Sequence, residues 1–304
     1  MEQPDRFTTL SNGIELCYRI DGPDEGIPLV LIGGIGVDMV QWPQAMVAAL
    51  AHAGFRVVRF DNRDCGRSST IDAAVPSTLE LVSGRIRGVG YDLGDMAGDL
   101  EGLLDHLGID RAHIVGMSMG GMIGQTLAAR RPDRVLSLTS IFSNTGRKGI
   151  GGAAPKTMAL LARRPATDTV GMIRQKLSLY RHIASAGYVF DEPTTRRIVT
   201  ESVARLGGAD PSARLRRQIG AIKRSGDRTA ELRNVTAPTL VIHGALDYRV
   251  PDAQGLAYYN TLKALKIDAR LLWFPDENHW ILKPRNSRLW HAEFFAWLKR
   301  HDPG

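Results

Sequence analysis

Apolar residues in this chain fall into short continuous runs, separated by stretches in which they recur every third or fourth position. The runs occupy 27–34, 55–60, 113–117, 134–142, 237–244 and 268–274. Runs of this length bounded by turn residues predict strands buried on both faces. Between them the spacing predicts helices over 42–53, 120–131 and 252–265, and a last amphipathic helix ending Phe294-Phe295-Ala296-Trp297-Leu298. Over 93–107, Leu93, Met96, Leu100, Leu103, Leu104 and Leu107 share one helical face, and Gly108 closes the pattern. Buried strands alternating with helices spell βαβ units, hence a mostly parallel sheet with helices on both faces. Ahead of these units, two extended segments flank Asn12-Gly13, a pair suited to a type I′ hairpin turn. Residues 61–89 read as a loop with few regular signals.

The alternation stops after Phe142 and resumes at Ala237. In between lie helical fragments and Gly-rich joints without a buried strand. The chain therefore divides into one α/β domain, 1–142 and 236–304, interrupted by a helical cap at 143–235. Charge follows that division. The cap segment carries 18 Lys and Arg against 7 Asp and Glu, a net +11 in a chain of +7, which leaves −4 for the rest. A basic region of this kind can meet nucleic acid, anionic lipid or an acidic substrate. With no zinc-finger spacing, aromatic RNA-binding signature or run of five Lys and Arg, a solvated arginine-rich surface is expected, and no nucleic-acid partner.

Composition bounds the rest. Hydrophobic residues at 43% and charged residues at 23% are those of a globular protein. Two cysteines, Cys17 and Cys65, cannot build a disulfide framework or a Cys-rich zinc site, and no metal-ligand cluster or cofactor motif stands out. The uncharged apolar stretch 27–37 is about half the roughly 20 residues of a membrane-spanning helix. The N-terminal MEQPDRFTTL lacks the apolar core of a signal peptide. A soluble, cytoplasmic protein without membrane association is expected.

Candidate chemistry centres on Gly116-Met117-Ser118-Met119-Gly120, a G-x-S-x-G between a predicted strand and a predicted helix. The chain must reverse so tightly there that side chains flanking the serine would clash with neighbouring backbone, which is why glycines are needed. A serine hydroxyl becomes a nucleophile only beside a base, and the base must be oriented by a third group. In open parallel sheets such groups gather beyond the carboxyl ends of the strands. His279 in Pro275-Asp276-Glu277-Asn278-His279-Trp280 has that position, and Asp247, past the preceding strand, suits the orienting acid. His243 lies inside an apolar run and reads as a core residue, while Asp252 reads as a helix cap. The oxyanion donors expected are the backbone N–H groups of Met119 and Ile35, the latter in Gly33-Gly34-Ile35-Gly36.

These residues, with Trp42, the loop Asp61-Asn62-Arg63-Asp64-Cys65-Gly66-Arg67-Ser68 and the Gly-x-x-Asp-x-x-Val-Pro setting of Asp247, resemble the α/β-hydrolase family along nearly the whole chain. More narrowly, the Asp61–Ser68 loop and RAHIVGMSMGGMIGQTLAARRPDRV resemble the aclacinomycin methylesterase-like and cofactor-free haloperoxidase-like esterases. The resemblance implies an eight-stranded sheet, mostly parallel with the second strand antiparallel, and a helical cap over the active site. Asp61 and Arg63 are expected to brace their loop. Two departures stand out. Gly33-Gly34 replaces the usual His-Gly before the oxyanion loop, and PDENHWILKPRNSRLWHAEFFAWLK resembles the C-terminal segment of prolyl-oligopeptidase-like peptidases.

The expectation is a serine hydrolase of small-molecule carboxylic esters, acting through Ser118, His279 and Asp247 without a cofactor. Perhydrolase, lactonase and C–C hydrolase activities fit the same triad, and peptide cleavage and a non-catalytic receptor remain as further alternatives.

Overall fold

The six apolar runs all become strands of one sheet. In order along the chain the strands are β1 (Arg6–Thr9), β2 (Glu15–Asp21), β3 (Ile27–Ile32), β4 (Phe55–Phe60), β5 (Ala112–Met117), β6 (Val135–Ile141), β7 (Thr239–Gly244) and β8 (Ala269–Phe274). The computed structural model describes residues 3–150, 154–161, 166–185 and 189–302. The sheet order is β1-β2-β4-β3-β5-β6-β7-β8, with β2 antiparallel to both its neighbours and every other pair parallel.

Side chains along the central strands alternate strictly between two cores. Leu29, Leu31, Val57, Val115, Leu240 and Ile242 face one side and meet α1 (Gln44–His52) and α10 (Pro284–Arg300) through Met46, Leu50, Phe294 and Trp297. Val30, Ile32, Val58, Ile114, Leu138 and Val241 face the other. There they meet α3 (Leu93–His106), α4 (Met119–Arg130) and α9 (Asp252–Ala264). Each such buried aliphatic side chain stabilises the fold by roughly 1.5–3 kcal/mol, which is why both faces must be covered.

Three local expectations fail. Asn12-Gly13 does connect β1 to β2, but only Gly13 has a positive φ, at 81°. The connection is a longer loop in which Gly13 N–H donates to Leu10 O at 2.9 Å and Leu10 N–H to Ile14 O at 2.8 Å. One left-handed residue suffices for it, where a type I′ turn needs two. Asp252 is the first residue of α9 rather than its cap, and its carboxylate accepts the Trp273 indole N–H at 3.0 Å. Within 61–89 a short α2 (Thr78–Ser83) forms behind a reciprocal Ser77–Glu80 capping box.

Between β6 and β7 the described residues form α5 (Pro155–Leu161), α6 (Thr169–Ile183), α7 (Glu192–Ala204) and α8 (Pro211–Ser225), and no strand. Asp168, Asp191 and Asp210 cap α6, α7 and α8 with their carboxylates. Helices α6 and α7 share a small core of Leu177, Tyr180, Ile183, Val199 and Val203. The arginines of this segment are not simply a solvated surface. Arg217 holds Asp64 in a fork at 2.8 and 2.6 Å, and Arg205 bridges Asp5 at 2.7 Å and Asp61 at 2.6 Å. Arg214 donates to Gly66 O and Arg228 to Met122 O; Arg214, Arg217 and Arg228 are buried, and the Arg205 side chain is 7% exposed. The excess positive charge is used to dock these helices onto the acid-bearing loop after β4.

Candidate active site

Ser118 follows β5 and precedes α4 with φ 52° and ψ −116°, a conformation costly for any residue with a side chain. The packing explains why the strain persists. A Cβ on Gly116 would lie 2.2 Å from Gly120 O, and one on Gly120 would lie 2.2 Å from Ile32 O. Strand and helix thus approach too closely for anything but glycine at both positions. Ser118 N–H donates to Ile141 O at 2.9 Å, and Ser143 Oγ donates to Ser118 O at 2.8 Å, fixing the bend against the end of β6.

His279 and Asp247 come together as the sequence predicts. His279 Nδ1–H donates to Asp247 Oδ2 at 2.6 Å, and both side chains are buried. Asp247 Oδ1 accepts the Arg249 and Val250 N–H groups at 2.9 and 2.8 Å, so the carboxylate is fixed at both oxygens. Burial pushes the Asp247 carboxyl up, but the charge of His279 and the hydrogen bonds from His243 and His279 outweigh it and hold the group well below its usual range. Burial likewise disfavours the His279 imidazolium by more than Asp247 favours it, and holds His279 below the ordinary imidazole value. With Nδ1 carrying the proton, Nε2 of the neutral ring is the free base.

Ser118 Oγ has no hydrogen bond among the described residues, so the contact to His279 is not made in this state. Phe142 packs against the imidazole. It follows β6, adopts φ 36°, and lays its ring 4.3 Å from the His279 ring.

The loop that holds Ile35 runs beside Ser118. A Cβ on Gly34 would be 3.3 Å from Ser118 Cβ, which shows how near the 33–36 loop runs. Neither Ile35 N–H nor Met119 N–H is taken by an acceptor among the described residues. The brace for this loop comes from elsewhere than the position before Gly34. Asn62 Nδ2 donates to Gly33 O at 3.2 Å, and Gln218 Oε1 on α8 accepts Gly36 N–H at 2.8 Å. Asp61 and Arg63 brace their own loop, Asp61 by accepting Met39 and Arg67 N–H, Arg63 by a fork to Asp99 at 2.6 Å on both arms.

Sequence reasoning missed several neighbours. His243 is buried as expected, but its Nε2–H donates to Val250 O at 2.8 Å and lies 3.4 Å from Asp247 Oδ2, so it belongs to the carboxylate's surroundings. Its place four residues before Asp247 was the available signal. Ser185, just past α6, accepts Asn278 N–H at 2.8 Å and donates to Trp280 O at 2.5 Å. Nothing local in the sequence announces that contact or the Gln218 one, since each spans more than 90 residues.

Residues 27–285 match the family model described as alpha/beta hydrolase fold. Rhodomycin D methylesterase DauP of Streptomyces sp. (strain C5) is 29% identical over 266 residues, 81% of this chain and 82% of that protein. A probable dipeptidyl-peptidase 5 of Aspergillus terreus is 50% identical over 67 residues, which is 22% of this chain but 9% of that one. Among solved structures, the enol-lactonase of Burkholderia xenovorans LB400 superposes with a TM-score of 0.72 at 25% identity, covering 97% of this chain and 100% of that one.

Proposed function

Because the chain belongs to the α/β-hydrolase fold family, we propose that it is a serine hydrolase of carboxylic esters, with Ser118 as nucleophile, His279 as base and Asp247 as the acid that orients His279. The observation that carries this reading is the strained Ser118 backbone, wedged between Gly116 and Gly120 at the start of α4. Similarity to a methylesterase over most of both chains supports the ester as substrate.

Ser118 Oγ attacks the ester carbonyl while His279 Nε2 takes its proton. Asp247 keeps the proton on Nδ1 and stabilises the imidazolium that forms. The carbonyl oxygen becomes an oxyanion held by the Ile35 and Met119 N–H groups, each such donor being worth about 10²–10³ in kcat. His279 returns the proton to the departing alcohol, and water releases the acyl group from Ser118 by the same path. Substrate binding brings Ser118 Oγ onto Nε2, a contact that commonly tightens only in the Michaelis complex. Residues 143–235 serve as the cap over this site.

The test is a fluorophosphonate probe followed by peptide mapping. Label on the peptide containing Ser118, with hydrolysis of p-nitrophenyl butyrate blocked in proportion, is the expected result; an unlabelled Ser118 beside intact hydrolysis contradicts the assignment. The 67-residue likeness to a dipeptidyl-peptidase favours peptide bonds as a second reading. Release of p-nitroaniline from a dipeptidyl p-nitroanilide faster than ester hydrolysis would establish it.

A further inference from the structure

Buried arginines among the described residues have partners. Arg59 binds Asp21, Arg63 binds Asp99, Arg205 binds Asp5 and Asp61, Arg217 binds Asp64, and Arg214 and Arg228 donate to main-chain carbonyls. Arg249 is the exception at the candidate site. It is half-buried, stands two residues after Asp247, and its guanidinium has no hydrogen bond or ion pair among the described residues. The undescribed internal stretches 151–153, 162–165 and 186–188 contain no Asp or Glu, and Glu2 is the one acidic side chain among the undescribed residues.

The guanidinium nevertheless acts on the site. Its charge opposes protonation of His279 and favours ionisation of Tyr180 on α6, while Asp247 and Tyr180 in turn favour its own charged form. Its own backbone N–H donates to Asp247 Oδ1 at 2.9 Å, which puts the residue at the acid–base pair. Asp38, the carboxylate that also acts on Tyr180, is turned toward Arg205, with Oδ2 3.5 Å from Arg205 Nε. The loop holding Arg249 is covered as well, since Tyr248 O accepts Ala154 N–H at 2.8 Å and Thr157 Oγ–H at 3.3 Å. A half-buried cation without a partner is unfavourable, and desolvation already pulls its pKa down. Five donors in a planar fork match a carboxylate in two parallel hydrogen bonds.

We propose that Arg249 is an anion-binding residue of this active site, and that the esters cleaved here carry a carboxylate within a few bonds of the scissile carbonyl. The inference rests on the esterase reading and narrows it to a substrate class.

Two matched pairs test it, one with the charge on the acyl side and one on the alcohol side: mono-p-nitrophenyl glutarate against p-nitrophenyl valerate, and 4-carboxyphenyl butyrate against phenyl butyrate. The readout is the ratio of kcat/KM, anionic over neutral, within each pair. The wild-type protein favours the anionic member of at least one pair. Arg249→Gln lowers that ratio about ten- to a hundredfold, the worth of a hydrogen bond to a charged group, and Arg249→Lys restores part of it. Melting temperature and fluorophosphonate labelling of Ser118 show that the variants are folded. Neutral esters cleaved with no anionic preference, or a ratio untouched by Arg249→Gln, overturn this inference alone. Failure to cleave any of the four esters removes the esterase reading and this inference with it.

Discussion

The Ser185 hydroxyl holds the backbone on both sides of His279 without touching the imidazole, accepting Asn278 N–H at 2.8 Å and donating to Trp280 O at 2.5 Å. A parallel bridge between Ala184 and Trp280 continues the contact, and Asn278 Oδ1 accepts both His279 N–H at 2.7 Å and Tyr248 N–H at 3.3 Å. The end of α6, the His279 loop and the Asp247 loop are thereby tied into one unit. A sub-ångström change in an acid–base pair is felt directly in rate. Ser185→Ala is expected to lower kcat roughly tenfold with little change in KM, and to slow fluorophosphonate labelling of Ser118 in step. Ser185→Thr restores part of both. A variant that loses melting temperature but keeps kcat per folded molecule would make Ser185 a structural strap only.

The pH profile has a sign fixed by burial. His279 works as a base only when neutral, and desolvation outweighs the help of Asp247 in holding its pKa below 6.5. Activity on a neutral ester is therefore expected to fall as pH drops through a value below 6.5, and to be level above it. Arg249→Gln, by removing a positive charge near the ring, moves that limb upward. An acid limb in the wild-type protein above 6.5 contradicts the picture of a desolvated imidazole.

Two glycine substitutions predict opposite signs. Gly120→Ala would place a Cβ 2.2 Å from Ile32 O, main chain that cannot step aside, so a loss of more than about 3 kcal/mol, or insoluble protein, is expected. Gly98 is exposed in the middle of α3, and a Cβ there meets nothing within 4 Å. Gly98→Ala should stabilise by about 0.5–1 kcal/mol through helix propensity alone. Urea melts of the two variants check both.

The docking of the inserted helices is testable through Arg217 and Asp64, both buried. Arg217→Ala leaves the Asp64 carboxylate with only Tyr91 Oη–H and Ile71 N–H as partners, and should cost about 3–5 kcal/mol by chemical denaturation. Replacing the pair together by apolar residues of similar volume should cost much less. Equal losses in the single and double variants would mean that the ion pair does not hold the helices down.

Much of this architecture was legible because buried strands and amphipathic helices write their periods into the sequence. Phe55–Phe60 is a strand at both predicted ends, and α3 begins at the predicted Leu93. The G-x-S-x-G spacing foretold the bend at Ser118, and chain order foretold that Asp247 and His279 would meet. What sequence could not supply is contact between distant segments. The positive charge of 143–235 was countable, but that Arg217 would find Asp64 and Arg205 would find Asp61 depends on how helices pack 140 or more residues away in sequence. The Asn12-Gly13 turn was misjudged because dipeptide preference ignores the side-chain bonds that Asn12 makes to Ile14 N–H and Asp99. The Ser77–Glu80 capping box ahead of α2, by contrast, is a helix-start signal that the sequence itself carries.

The most direct measurement is the turnover of p-nitrophenyl butyrate by Ser118→Ala, set beside the wild-type protein at equal folded concentration. The account predicts a fall in kcat on the order of 10⁶-fold, with an unchanged fold by circular dichroism. Turnover by the alanine variant at the wild-type rate would contradict it.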